Sequence, residues 1–169
     1  MDVGFYLKIP DVERIGTILV DLADRLPRTM GTESQLSPCV HSMLQILDPD
    51  SSFEWTTSDE DRIDFRTSGT NPSLLELVVA PRIIGRRDQS NQLSPSQNAP
   101  ELKKLSSNNA ASRFLLLIDL DREDRDFEPS YRNWVGNNGL AKKVHVVTVG
   151  RTGDAKTFVL MPNIEALSA

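Results

Sequence analysis

The sequence predicts a single mixed α/β domain, with helices flanking a central mixed β-sheet. Three observations carry that prediction. The run Arg113 to Leu120 (RFLLLIDL) is the most hydrophobic in the chain and short, as a strand buried on both faces of a sheet would be. Between Asp11 and Leu26, apolar residues recur at helical spacing. The stretches 62–84 and 143–161 are β-rich and broken by turn chemistry. At 169 residues the chain suits one domain, 1–169, with a core of ordinary size. Its 38% hydrophobic and 25% charged residues place it among globular chains rather than disordered ones.

In chain order, Val3 to Ile9 (VGFYLKI) reads as a first strand, stopped by Pro10. A helix follows from Asp11 to Leu26, with Val12, Ile15, Ile18, Leu19, Leu22 and Leu26 on its apolar face. Acidic Asp11 and Glu13 suit its first turn, and Pro27 ends it. Ser37-Pro38 has the form of a helix cap followed by proline at the first helical position, and the helix runs to Leu47. Phe53 to Thr57, Arg62 to Arg66 and Leu74 to Ala80 read as a three-stranded meander, its last turn built on Gly69 and Asn71-Pro72. Residues 85–100, rich in Gln, Asn, Ser and Pro, read as a long flexible surface loop. A short helix at Glu101 to Ser106 precedes the apolar strand. Pro129 to Leu140 reads as a further helix, with Tyr131, Trp134 and Val135 facing inward. Lys143 to Gly150 and Lys156 to Met161 form a hairpin around Arg151-Thr152-Gly153-Asp154.

Bulk properties narrow the function. A formal net charge of -5 does not favour nucleic acid, so contact with it must use a local basic cluster or bridging metal ions. Cys39 is the single cysteine, which excludes an internal disulfide and suits a reducing compartment. No basic segment precedes an apolar run at the N-terminus, and no apolar run approaches the ~20 residues needed to span a bilayer. The expectation is an intracellular protein, cytoplasmic or nuclear, neither secreted nor in a membrane. Walker A, G-x-G-x-x-G, G-x-S-x-G and H-E-x-x-H motifs are all absent. With His41 and His145, Cys39 makes too small a set for structural zinc.

Chemistry concentrates at Asp64 and Glu76, one carboxylate in each of two adjacent apolar strands (Arg62-Ile63-Asp64-Phe65 and Leu75-Glu76-Leu77-Val78). A charge in such a strand is costly unless it is exposed, paired or metal-bound. Two facing carboxylates can share Mg²⁺ or Mn²⁺, which prefer oxygen ligands. In the plainer reading the same residues alternate outward onto a solvated sheet face.

The order α-β-β-β-α-β from Pro38 to Leu120, with Asp64 on the second strand and Glu76 on the third, resembles the core of the PD-(D/E)xK nuclease superfamily, of restriction-endonuclease-like fold. The resemblance covers about half the chain. It implies metal-dependent action on phosphodiesters, with Asp64 and Glu76 as metal ligands. Val78 stands where the family's lysine belongs. Some cap-snatching relatives carry that lysine on the following helix and a histidine on the preceding one. By this likeness Lys103 or Lys104 would steady phosphate charge or orient water, and His41 would assist.

A second pair, Asp119 and Asp121, ends the apolar strand. Residues i and i+2 share a face, and strand ends collect ligand sites in α/β sheets. This Asp-x-Asp resembles the metal-binding motif of the Toprim fold and makes the two aspartates candidate metal ligands. That family's glutamate after the first strand is replaced here by Lys8-Ile9-Pro10. The alternative is a strand cap opening a charged loop.

Charge is also segregated. Residues 48–61 hold six acidic groups and no basic one, while Arg82, Arg86, Arg87, Lys103 and Lys104 flank the long loop. Two functions follow from the sequence. One is a metal-dependent nuclease-like domain, intact or degenerate, that meets nucleic acid through Arg82, Arg86 and Arg87. The other is a non-enzymatic acidic domain that binds a basic protein partner, as an inhibitor or assembly subunit does.

Overall fold

The computed structural model describes residues 4–26, 32–53, 63–80, 90–121 and 125–163. It is a single mixed α/β domain. Helices α1 (Ile9–Arg25) and α2 (Glu33–Leu47) lead into strands β1 (Ser52–Phe53), β2 (Phe65–Arg66) and β3 (Ser73–Ala80). A 3-10 turn (Ser90–Leu93) and α3 (Ala99–Ser107) precede β4 (Ser112–Asp119). Helix α4 (Glu128–Asn138) and strands β5 (Val144–Val149) and β6 (Ala155–Leu160) complete the order. The six strands form one sheet in sequential order. β3, β4 and β5 run parallel, and the other neighbours are antiparallel.

Alternation along the central strands explains the layers. Leu75, Leu77 and Val79 of β3 face α1 and α2, together with Phe114, Leu116 and Ile118 of β4. Leu74 and Val78, with Leu115 and Leu117, face α3 and α4. β3 and β4 are buried along their whole length, as a strand covered on both faces must be. The two parallel crossovers each carry one helix. Successive crossovers of one hand, moving one way across the sheet, put α3 and α4 on the same face. α1 lies very close to the other face. A Cβ on Gly16 would stand 2.6 Å from Val149 Cγ2, so only glycine allows that approach.

The N-terminal segment departs from the sequence reading. Residues 4–8 form no strand. They are held by side chains instead: Leu7 N–H donates to Ser73 Oγ at 2.9 Å, and Ser112 Oγ donates to Leu7 O at 3.3 Å. β3 and β4 already pair with each other, so the segment meets the beginnings of those strands and has no ladder to join.

α2 also starts earlier than Ser37-Pro38 suggests. Gln35 Oε1 accepts from Thr32 N–H at 3.0 Å, and Pro38 lies within the helix. Ser37 Oγ donates to Glu33 O at 2.8 Å, which occupies a first-turn carbonyl near the proline. The earlier start places Glu33 in the first turn of α2.

The stretch expected to be a loose loop over 85–100 has form in its second part, while 85–89 lie outside the described residues. The 3-10 turn at Ser90–Leu93 is followed by turns and the start of α3, with Leu93 and Asn98 buried. Tyr131 Oη donates to Leu93 O at 2.6 Å, and Asn98 Nδ2 donates to Gln92 O and Ser94 O. These bonds tie the segment to α4 and fix the start of α3. The strand expected at Phe53 to Thr57 is described only as far as Phe53, and the basic residues Arg82, Arg86 and Arg87 lie outside the described residues.

Candidate functional site

The described ladder between β2 and β3 has two pairs, Phe65–Leu75 and Arg66–Leu74. Beyond Leu75, the N–H groups of alternate residues point to one edge of β3. Carboxylates meet two of them. Leu77 N–H donates to Asp64 Oδ2 at 3.0 Å, and Val79 N–H donates to the Glu33 carboxyl. Side chains from the segment just before β2 and from α2 therefore stand where a longer β2 would pair.

Glu76 belongs to the same strand but faces α3, the side on which Val78 also lies. It is 2% exposed, so it does not alternate onto a solvated face. Its Oε1 accepts from Asp64 N–H at 3.3 Å and lies 3.3 Å from Lys104 Nζ. The Asp64 carboxyl also lies close enough to act on the Glu76 carboxyl electrostatically. These groups line a cavity of about 370 Å³ together with Glu33 and Glu101. Gln92, Gln97 and Asn98 form its side nearest the start of α3.

Electrostatics make this a strained site for anions. Burial raises Glu76 far above the ordinary carboxylate range, and Asp64 raises it further. Lys104 opposes the shift and is outweighed. Glu33 is pushed up to about 7 by loss of water around its carboxyl, then by Asp64 and Glu101. Glu33 as a whole residue remains exposed, so water screens part of that effect and the penalty is smaller than for Glu76. Glu101 Oε2 is buried and has no hydrogen-bond partner among the described residues. Among the described residues, four carboxylates and one lysine thus converge on one cavity.

The donor set is all oxygen, which suits a hard divalent cation and not zinc or copper. Among the described residues, no group of three or more His, Cys, Asp and Glu side chains is arranged to hold a metal ion as it stands. Mg²⁺ asks for less, since it commonly keeps most of its waters and takes one or two protein carboxylates. Asp64 and Glu76 can supply those two once Glu76 gives up its proton, and the buried Glu101 Oε2 offers a further acceptor.

No protein-family model, curated protein or solved structure matches the chain.

The remaining sequence candidates lie elsewhere. Lys103 is exposed, and only its neighbour Lys104 enters the cavity. His41 packs its ring against Phe53, with centroids 5.2 Å apart, and is not among the cavity residues. Asp119 is buried and bound to Arg125, whose Nη2 and Nε reach Asp119 Oδ2 at 2.6 and 2.9 Å. Asp121 N–H donates to Asp119 Oδ1 at 3.2 Å. Asp119 thus ends β4 in a separate crevice as an ion-paired cap. His145 stacks on Phe114, and Cys39 packs against the core. Asp48, the first residue of the acidic run, is buried and accepts from Ser68 N–H at 2.6 Å and Ser68 Oγ at 2.9 Å, so it is no part of an exposed acidic face.

Sequence reasoning missed Glu33 and Glu101. Placing the start of α2 at Ser37 left Glu33 in a loop. The Thr32-x-x-Gln35 spacing was the available signal for the earlier start. Glu101 precedes Lys104 by three positions, a spacing that puts both on one side of a helix.

Proposed function

We propose that this cavity is a divalent-metal site of PD-(D/E)xK type that hydrolyses phosphodiesters. The observation that carries the reading is Lys104 Nζ at 3.3 Å from Glu76. Val78 deprives the β3 motif of its lysine, and α3 supplies an ammonium group to the same carboxylate. The burial of Glu76, with half-buried Asp64 beside it in a cavity rather than on an exposed acidic face, also favours this over the acidic interaction domain.

A divalent cation bound there would offset the crowded negative charge, polarise a phosphoryl oxygen and make water more acidic. Asp64 and Glu76 would hold it through their carboxylate oxygens. Glu33 and Glu101 would hold its water ligands by accepting hydrogen bonds. Lys104 would sit beside the scissile phosphate, where its charge offsets the negative charge that grows as water adds to phosphorus and the bond to the leaving oxygen breaks.

The test is cleavage of single- and double-stranded DNA and RNA in Mg²⁺ or Mn²⁺. The reading predicts cleavage that EDTA abolishes and that Asp64→Asn, Glu76→Gln and Lys104→Ala each reduce by about 10²-fold or more. A folded, metal-binding wild type that cuts none of these substrates would leave the site as a degenerate relative. Wild-type cleavage unchanged in all three variants would refute the assignment.

A further inference from the structure

On the opposite side of the sheet from α3, the outer faces of α1 and α2 leave apolar side chains uncovered. Ile46 is 82% exposed, Ile18 42% and Leu47 40%. Together with Ile15 and Met43 they line a groove of about 330 Å³ between the two helices. The spacing is helical on both walls: 15 and 18 on α1, and 43, 46 and 47 on α2. Exposed aliphatic residues are ordinary when scattered, but a contiguous set around a groove marks an interaction surface.

We infer that this groove is a self-pairing surface, on which a second copy of the chain docks about a two-fold axis with Ile46 of each copy entering the other's groove. An isologous contact needs a patch that complements itself. Here a projecting knob, Ile46, and the groove that can receive one lie on the same face. The polar end of the groove carries one charge of each sign, Asp11 and Arg14. A two-fold axis can set Arg14 of one copy against Asp11 of the other. A small-molecule pocket would instead place convergent polar groups around an enclosed space. The face formed by the 17-residue α1 and 15-residue α2 measures roughly 25 by 20 Å, about 1,000 Å² for the pair, the size of a weak, reversible interface.

Pairing leaves the carboxylate cavity free. Glu33 and Ile46 are 13 residues apart on α2, which places the groove about 20 Å along the helix from the cavity. Each copy carries a net charge of -5, so pairing must come from apolar burial against a general repulsion.

Sedimentation velocity of the full chain from about 1 to about 100 μM tests this. The expected result is a monomer–dimer equilibrium that persists at about 1 M salt, where the Debye length is ~3 Å. Ile46→Glu and Ile18→Glu, both at exposed positions, should each give a monomer with unchanged circular dichroism. Arg14→Glu should weaken pairing about tenfold and serves as the arm that leaves the apolar walls intact. Glu76→Gln should leave pairing unchanged. A monomer throughout the range overturns the inference, as does a dimer that both isoleucine variants leave intact.

Discussion

Lys104 Nζ stands 3.3 Å from Glu76 Oε1, so a helix side chain and a strand side chain form an ion pair in which the carboxylate is 2% exposed and the lysine 17%. The lysine's charge does not offset what burial and Asp64 do to Glu76. Among the described residues the site is short of positive charge, and that shortage decides how it should respond to substitution, pH and cations.

Lys104→Ala should abolish phosphodiester cleavage, by about 10²-fold or more, whereas Lys103→Ala should leave it unchanged. The two residues are adjacent in sequence, but only Lys104 lines the cavity. Steady-state rates of the two variants check this, and equal losses would contradict it.

Val78 occupies the position where the family motif has lysine, and it lies on the same face of β3 as Glu76. Val78→Lys combined with Lys104→Ala should recover part of the lost cleavage, because residues two apart on a strand point the same way. Cleavage by the double variant is compared with that of Lys104→Ala alone. The rescue will be incomplete, since Val78 is only 9% exposed and a new lysine must displace apolar contacts.

Without metal, the protein should be more stable near pH 5 than near pH 8. Both Glu33 and Glu76 have folded-state values above the ordinary carboxylate value, Glu33 at about 7. A raised carboxyl binds more protons folded than unfolded, so its contribution is full below about 4.5 and is lost as pH rises through the folded value. Glu76→Gln imitates the protonated form, since its carbonyl can still accept from Asp64 N–H. The variant should raise metal-free stability at pH 8 by on the order of 1 kcal/mol and flatten the pH profile. Thermal midpoints across pH 5–8 in EDTA provide the measurement.

Asp119→Ala should destabilise the fold by about 1–3 kcal/mol while leaving cleavage per folded molecule intact. The carboxylate binds Arg125 through two nitrogens, and Arg125 also lies over the Phe127 ring at 4.9 Å. Removing Asp119 leaves a partly buried guanidinium without that partner. Urea denaturation alongside activity separates the two effects.

The layers of this fold were legible in the sequence because burial leaves a periodic trace. Continuous apolar residues marked β4, and helical spacing marked α1. Turn chemistry marked the β5–β6 hairpin, where Gly153 has φ 86°. The strand expected at the N-terminus failed because a strand-like composition does not show that a neighbour has a free edge. The pairing of Asp64 with Glu76 was readable from adjacent strands. Glu33 was not, because its place depends on where α2 begins, and Ser37-Pro38 offered a rival start. Glu101 and Lys104 depend on how Asn98 and Tyr131 set the start of α3, which is a long-range contact with no local signature.

The most direct test of the cavity as a cation site is Mn²⁺ or Mg²⁺ titration at pH 8, following the thermal midpoint of the wild type, Asp64→Ala and Glu76→Gln. A cation that binds only the folded state adds about 1.4 kcal/mol at ten times its Kd, a rise of about 3–6 °C for a chain of this size. The predicted result is a saturable rise in the wild type that either substitution removes, although Glu76→Gln starts from a higher metal-free midpoint. A wild-type midpoint unmoved at millimolar cation, or a rise that both variants keep in full, would contradict a metal site at Asp64 and Glu76.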